Sequence, residues 1–118
     1  MSVQIKQLGS GTIAAAGSAD LGTTVASGKT RIVKSIRLVN AAASAPAYIN
    51  MQLIKVDSNG NALQTINISP VNLYLVSGGM YVDETEITME QDYKIKIVLS
   101  AGSGGPLHYT VSGIERDV

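Results

Sequence analysis

Hydrophobic and polar positions alternate with a period of two in four places. Ile49, Met51 and Leu53 stand around Asn50 and Gln52, and Val71, Leu73 and Leu75 around Asn72 and Tyr74. Ile95, Ile97 and Leu99 alternate with Lys94, Lys96 and Val98, and Leu107, Tyr109 and Val111 with His108, Thr110 and Ser112. Successive side chains of a strand point to opposite faces, so each run predicts a strand with one face in a core and one in solvent. That is the pattern of antiparallel sheets.

Weaker strands are expected over residues 3–8, 20–26, 30–40, 63–68 and 80–83. Short clusters of turn formers separate them, among them Ser27-Gly28, Asp57-Ser58-Asn59-Gly60-Asn61 and Ser77-Gly78-Gly79. Ile, Val and Thr make up 31 of the 118 residues, and their branched side chains suit a pleated, half-buried surface. The best helical stretch, residues 13–19, is Ala-rich but short and broken by Gly17, and a helix of that length is marginal in water. Eight or nine strands at this spacing predict an all-β chain, an antiparallel β-sandwich or jelly roll. Asn59-Gly60 predicts a hairpin with a type I′ turn joining residues 47–56 to 63–68. Residues 1–19 read either as an N-terminal arm or as a first strand, and residues 20–118 as the sandwich domain.

Composition narrows the chemistry. A length of 118 residues implies one domain. Nine basic residues balance nine acidic ones at only 15% charged residues, and a net charge near zero favours association. Without Cys there is no disulfide, thiol nucleophile or cysteine-ligated zinc. No basic excess points to nucleic acid, since neutralised phosphates dominate that affinity, and the aromatic residues, all Tyr, make up only 4%. No leader pattern opens the chain, and no run approaches the ~20 apolar residues of a membrane span.

The local motifs carry little chemistry. Asp57-Ser58-Asn59-Gly60-Asn61 begins like a calcium loop, but the EF-hand needs Gly sixth and Glu twelfth. Here Gly60 is fourth and Ile68 twelfth, so the segment reads as a turn. Gly9-Ser10-Gly11-Thr12-Ile13-Ala14 matches a dinucleotide fingerprint without the βαβ unit that gives it meaning, and is expected to be a flexible connection. His108 has no G-x-S-x-G serine to work with and reads as a surface or interface residue. No cofactor, metal, small-molecule substrate or enzymatic activity is expected. Paired carboxylates near Asp83 lack the aromatic platforms of a sugar cleft.

Charge is more informative in its placement. Lys29, Arg31, Lys34 and Arg37 form a basic block, and Asp83, Glu84, Glu86, Glu90 and Asp92 an acidic one. Either the two blocks neutralise each other within one sheet, or the basic surface of one copy meets the acidic surface of the next. These nine residues are the candidate interface.

Residues 29–40, Lys-Thr-Arg-Ile-Val-Lys-Ser-Ile-Arg-Leu-Val-Asn, complete the picture together with residues 86–95 and the ending Tyr-Thr-Val-Ser-Gly-Ile-Glu at 109–115. The chain resembles small β-sandwich virion proteins of tailed bacteriophages, which share a similar K-T-x-I-V-K-S-I-R-L-V-N strand and Y-x-x-S-G-x-E ending. It departs from them at Glu90-Gln91-Asp92, where the family often has Gly before Asp. The resemblance implies a head decoration, or cement, protein on the outer surface of the capsid. Its expected partners are the major capsid protein and itself, as a homo-oligomer, a trimer. The alternative it leaves is a tail or fibre adaptor or receptor-binding module, with recognition in loops 41–47 and 101–106.

Overall fold

A computed structural model describes residues 6–14, 17–42, 44–69, 72–100, 103 and 106–117. These contain ten strands and no helix: β1 (Lys6–Ile13), β2 (Ser18–Asp20), β3 (Lys29–Asn40), β4 (Ala47–Val56), β5 (Ala62–Asn67), β6 (Leu73–Leu75), β7 (Met80–Asp83), β8 (Ile87–Met89), β9 (Tyr93–Leu99) and β10 (Leu107–Asp117). They form two five-stranded antiparallel sheets. The first runs β1-β10-β3, with β7 and β8 end to end along the far side of β3. The second runs β2-β9-β4, with β5 and β6 end to end along the far side of β4. The β-sandwich expected from the alternation is therefore the fold.

The inward faces meet in one core. Ile36 and Leu38 of β3 and Leu107 and Val111 of β10 face Ile49 and Met51 of β4 and Ile95 and Ile97 of β9, all essentially inaccessible to water. Burying each such side chain contributes roughly 1.5–3 kcal/mol, so these four strands supply most of the driving force.

Several local expectations need correction. The connection expected to be flexible at residues 9–14 is instead mostly strand. β1 pairs along β10 as far as Ile13↔Leu107, and ladder bonds supply what its weak apolar pattern lacks. The strand expected over 20–26 stops at Asp20, although Leu21 and Val25 stay buried, their amides donating to Ile95 O and Tyr93 O. β8, only three residues long, is too short to show in the alternation. The strand expected over 71–75 covers Leu73–Leu75, and Val71, like residues 3–5, lies outside the described residues.

β3 does not alternate simply. Arg31 and Val33 face inward, and so do Ile36, Leu38 and Asn40, which breaks the period between Val33 and Ile36. The cause is a bulge. Ser112 opposes Ser35 and Gly113 opposes Val33, so Lys34 is one extra residue in β3, which returns both halves of the strand to the core face. Gly113 makes this possible, because a Cβ there would lie 2.1 Å from Ile32 O and 3.0 Å from Val33 Cα.

The β4–β5 hairpin forms where expected, with a different turn. Gly60 has φ +83° but Asn59 is not left-handed, so this is not type I′. The Gly60 amide donates to Asp57 O at 3.0 Å and the Asp57 amide to Asn61 O at 2.9 Å, closing a three-residue loop that ends in a left-handed glycine. The Asp57 carboxylate accepts from the amides of Asn59 (2.8 Å) and Asn61 (2.9 Å). Those backbone donors, Asn61 foremost, hold its pKa below the ordinary 3.8.

Two outcomes follow for stability. Gly113→Ala forces the bulge apart, and overpacking of this kind costs about 1–3 kcal/mol. Chemical denaturation should register that loss, whereas Gly28→Ala, where a Cβ meets nothing, pays only its left-handed φ. For Asp57 the folded pKa is depressed, so its contribution is complete above about pH 4 and disappears as pH falls through the folded value. Protection of the Asn59 and Asn61 amides, taken relative to the intrinsic exchange rate at each pH, should fall below that point, and Asp57→Ala should lack that protection at neutral pH.

Candidate interaction surface

The basic block lies along β3, and the pleat divides its members. Arg31 points inward and is almost wholly buried. Its Nε donates to Glu115 Oε2 at 2.8 Å and its Nη2 lies 2.6 Å from the same oxygen. The remaining donors reach Thr23 O at 2.5 Å and Thr23 Oγ1 at 3.1 Å. Lys29 pairs with Asp117 at 2.5 Å, which raises the lysine pKa and lowers that of the carboxylate. Lys34 pairs with Glu86. Arg37 is exposed on the outer face of the first sheet, opposite Val82 and Thr110, with no ion pair among the described residues.

The acidic block wraps the far edge of the same sheet. Asp83 ends β7 and accepts from the Thr85 amide at 2.9 Å, and Glu84 is exposed in the turn that follows. Glu90 and Asp92 lie in the β8–β9 turn. Asp92 adopts φ +72°, and its amide donates to Val25 O while its carbonyl accepts from Val56 N. The left-handed position of this turn is thus held by an aspartate, which tolerates it.

The two blocks are neighbours in one sheet, but only Lys34 and Glu86 join them. Lys29 and Arg31 are instead neutralised by Asp117 and Glu115, directly opposite them on β10. Neither acid figured among the sequence candidates, because cross-strand partners depend on register. The remaining visible chemistry is modest. His108 is exposed, opposite Thr12 and Val39. Among the described residues no three His, Cys, Asp or Glu side chains cluster as metal ligands. An opening of about 310 Å³ lies between the sheets at β5 and β8, lined by Leu53, Ile66, Thr88, Glu90 and Tyr93.

A different surface stands out. Between Asp57 and Asp83 the chain has no Lys, Arg, His, Asp or Glu. This stretch supplies β5, β6 and most of β7, which line one flank of the sandwich, opposite the flank edged by β1 and β2. All six large apolar side chains exposed among the described residues belong to it: Leu63, Ile66, Tyr74, Val76, Met80 and Val82. The gap between charges was a signal that could have found this flank, whereas attention to the charges themselves pointed elsewhere.

Beside it, on the outer face of the second sheet, Tyr48 and Tyr74 meet edge to face at 5.5 Å. Next to them, Asn50 Nδ2 donates to Ser100 Oγ (2.9 Å) and Asn72 Oδ1 (3.2 Å), and the Asn72 amide donates back to Asn50 Oδ1 (2.9 Å). This bond holds Asn72 at φ +54°. Of the two loops expected to carry recognition, residues 43, 101, 102, 104 and 105 lie outside the described set. Ser103 is used internally, its hydroxyl accepting from the Tyr48 amide at 2.9 Å.

The ion pairs should separate by burial. Removing one member of a buried pair leaves an uncompensated charge and costs about 3–5 kcal/mol, so Arg31→Ala should lower unfolding free energy on that scale, somewhat reduced by the part-exposure of Glu115. Lys34→Ala, at a solvated pair, should cost less than about 1 kcal/mol. Urea unfolding of the two variants checks the contrast.

No protein-family model matches the chain, and no curated protein matches it. Among solved structures, a chain of the infectious bursal disease virus T13 particle superposes with a TM-score of 0.60 at 10% identity, over 98% of this chain and 31% of that one. A chain of the VP2 subviral particle of the same virus gives 0.54 at 14% identity, over 97% and 32%. The Drosophila NLP core, a structure described for pentamer formation and histone binding, gives 0.50 at 16% identity, over 95% and 100%. The chain spans about a third of the viral chains it matches, and at these identities the likeness is one of fold.

Proposed function

We propose that this chain is a structural virion protein, a decoration (cement) protein on the outer surface of a tailed-phage head. It binds the major capsid protein, as a homo-oligomer whose order, three, matches a three-fold junction between capsid subunits. The observation that carries this reading is the uncharged apolar flank. Exposed apolar surface marks protein contact sites, and here all six large exposed apolar side chains of the described residues fall in one uncharged stretch of the sandwich. The resemblance of residues 29–40 and 109–115 to phage virion proteins supports it, as does a fold shared with viral-particle chains.

In this reading Val76, Met80 and Val82 meet the capsid, with Arg37 and the acidic turn at Asp83 and Glu84 at the rim, where charge sets register. Of the nine residues of the two blocks, exposed Arg37, Glu84 and Glu90 lead the proposed polar interface, and Arg31, buried against Glu115, drops out of it. The action is thermodynamic. A protein that binds only the assembled shell stabilises it by mass action, and several attachment points make weak contacts cumulative.

A second reading, a tail or fibre module that recognises a host glycan, is favoured by the Tyr48–Tyr74 pair beside the Asn50–Asn72–Ser100 network. Aromatic edges and preorganised amides suit a neutral sugar.

Copy number and location in intact virions decide between them: hundreds of copies on the head support decoration, and a handful at the tail overturns it. Met80→Lys and Val82→Lys should retain the fold and weaken binding to purified shells at least tenfold, equivalent to about 1.4 kcal/mol. Unchanged shell binding, with Tyr74→Ala abolishing glycan binding, would favour the second reading.

A further inference from the structure

β5 is exposed at every position from Ala62 to Asn67, unlike any other described strand. It ends its sheet, with β4 as its one neighbour among the described strands. Across that pair the Ile68 amide donates to Met51 O at 2.9 Å. Bonding direction alternates along an antiparallel ladder, so the amides of Gln64 and Ile66 point toward β4 and those of Thr65 and Asn67 point away from the sheet. Proteins normally protect such an edge with lysine, proline, inward charge or a covering loop. β5 has no charge and no proline, and it exposes Leu63 at 63% and Ile66 at 43%. Its bulge lies at the hairpin end, opposite Lys55 and Val56, and leaves Thr65 and Asn67 open for pairing.

We propose that β5 pairs antiparallel with β5 of a second copy across a two-fold axis, joining two five-stranded sheets into one. Charge selects this occupant. A charged strand laid against Leu63 and Ile66 would lose hydration, and β5, uncharged from Ala62 to Asn67, offers it no ion partner of its own. The chain's own β5 is uncharged and presents outward donors and acceptors at the matching spacing. A two-fold contact needs only such a self-complementary patch. Outward residues must oppose outward residues, which confines the axis to a residue rather than a gap between two. Gln64 and Thr65, at the centre of the strand, give the longest overlap.

The inference rests on the self-assembly part of the proposed function and not on the capsid. Two-fold pairing closes after two copies, so within a trimeric design it links one ring to another rather than members of the same ring.

The chain has no Cys, so single-cysteine variants report the contact directly. Residues on the axis have Cα atoms about 4.5–5.5 Å apart, within disulfide range. Either Gln64→Cys or Thr65→Cys should oxidise to a covalent dimer at least tenfold faster than Thr110→Cys, an exposed control on the other sheet. Thr65→Pro removes only an outward amide, so it should remain folded by circular dichroism and show half the wild-type mass by light scattering. If Thr65→Pro does not fold, the cysteine rates alone decide. A wild type that is monomeric or odd-numbered at all concentrations, or cross-linking no faster than at Thr110, overturns the pairing. Loss of shell binding with the β5 dimer intact counts against the capsid reading instead.

Discussion

The pairing of β3 with β10 is the constraint on which the other elements depend. The two long strands run together from Leu107↔Asn40 to Asp117↔Lys29. β3 then carries β7 and β8 on its other side, and β10 carries β1. β10 keeps strict alternation from Leu107 to Gly113, whereas β3 breaks it between Val33 and Ile36. The extra residue at Lys34, accommodated by the missing side chain of Gly113, restores the inward phase. Without it, Arg31 and Val33 would face solvent while Ile36 and Leu38 faced the core. The buried Arg31–Glu115–Thr23 contacts and the hydrophobic core are therefore both consequences of one bulge.

At the other end of β3, Asn40 joins the two sheets. It is fully buried, and its Nδ2 lies within bonding distance of Ala45 O, Leu75 O and Val76 O while its Oδ1 accepts from the Ala42 amide. Its backbone bonds Gly78 and Gly79 on both sides. A buried amide left without partners would be costly, so the chain's crossing from β6 to β7 is held at this point. That crossing brings the uncharged segment onto a single flank, stacking its part of the second sheet over its part of the first.

The molecule thus satisfies its polar groups internally and leaves apolar surface outside. Most of the basic block is committed within the chain, Arg31 and Lys29 to β10 and Lys34 to Glu86. A zero net charge in this protein reflects internal pairing to a large degree. The side where charge is missing is the one that carries the large exposed apolar residues.

The sequence by itself determined the two-layer antiparallel fold and the positions of most strands, because side-chain direction alternates with the backbone and apolar periodicity reports it directly. It placed Ile49, Met51, Ile95, Ile97, Leu107 and Val111 on buried faces, and it located the hairpin at Asn59-Gly60. It did not determine which strands are neighbours. Only the tertiary structure decided that Arg31 faces Glu115 rather than the acidic block, that Gly9 and Gly11 belong to a strand, and that Gly113 is a contact point. The reason is physical: periodicity is a local property of one strand, whereas register, bulges and ion pairing arise between strands distant in sequence. The same limit hid the flank, since Leu63, Tyr74 and Met80 read as ordinary strand residues until the fold left them without cover.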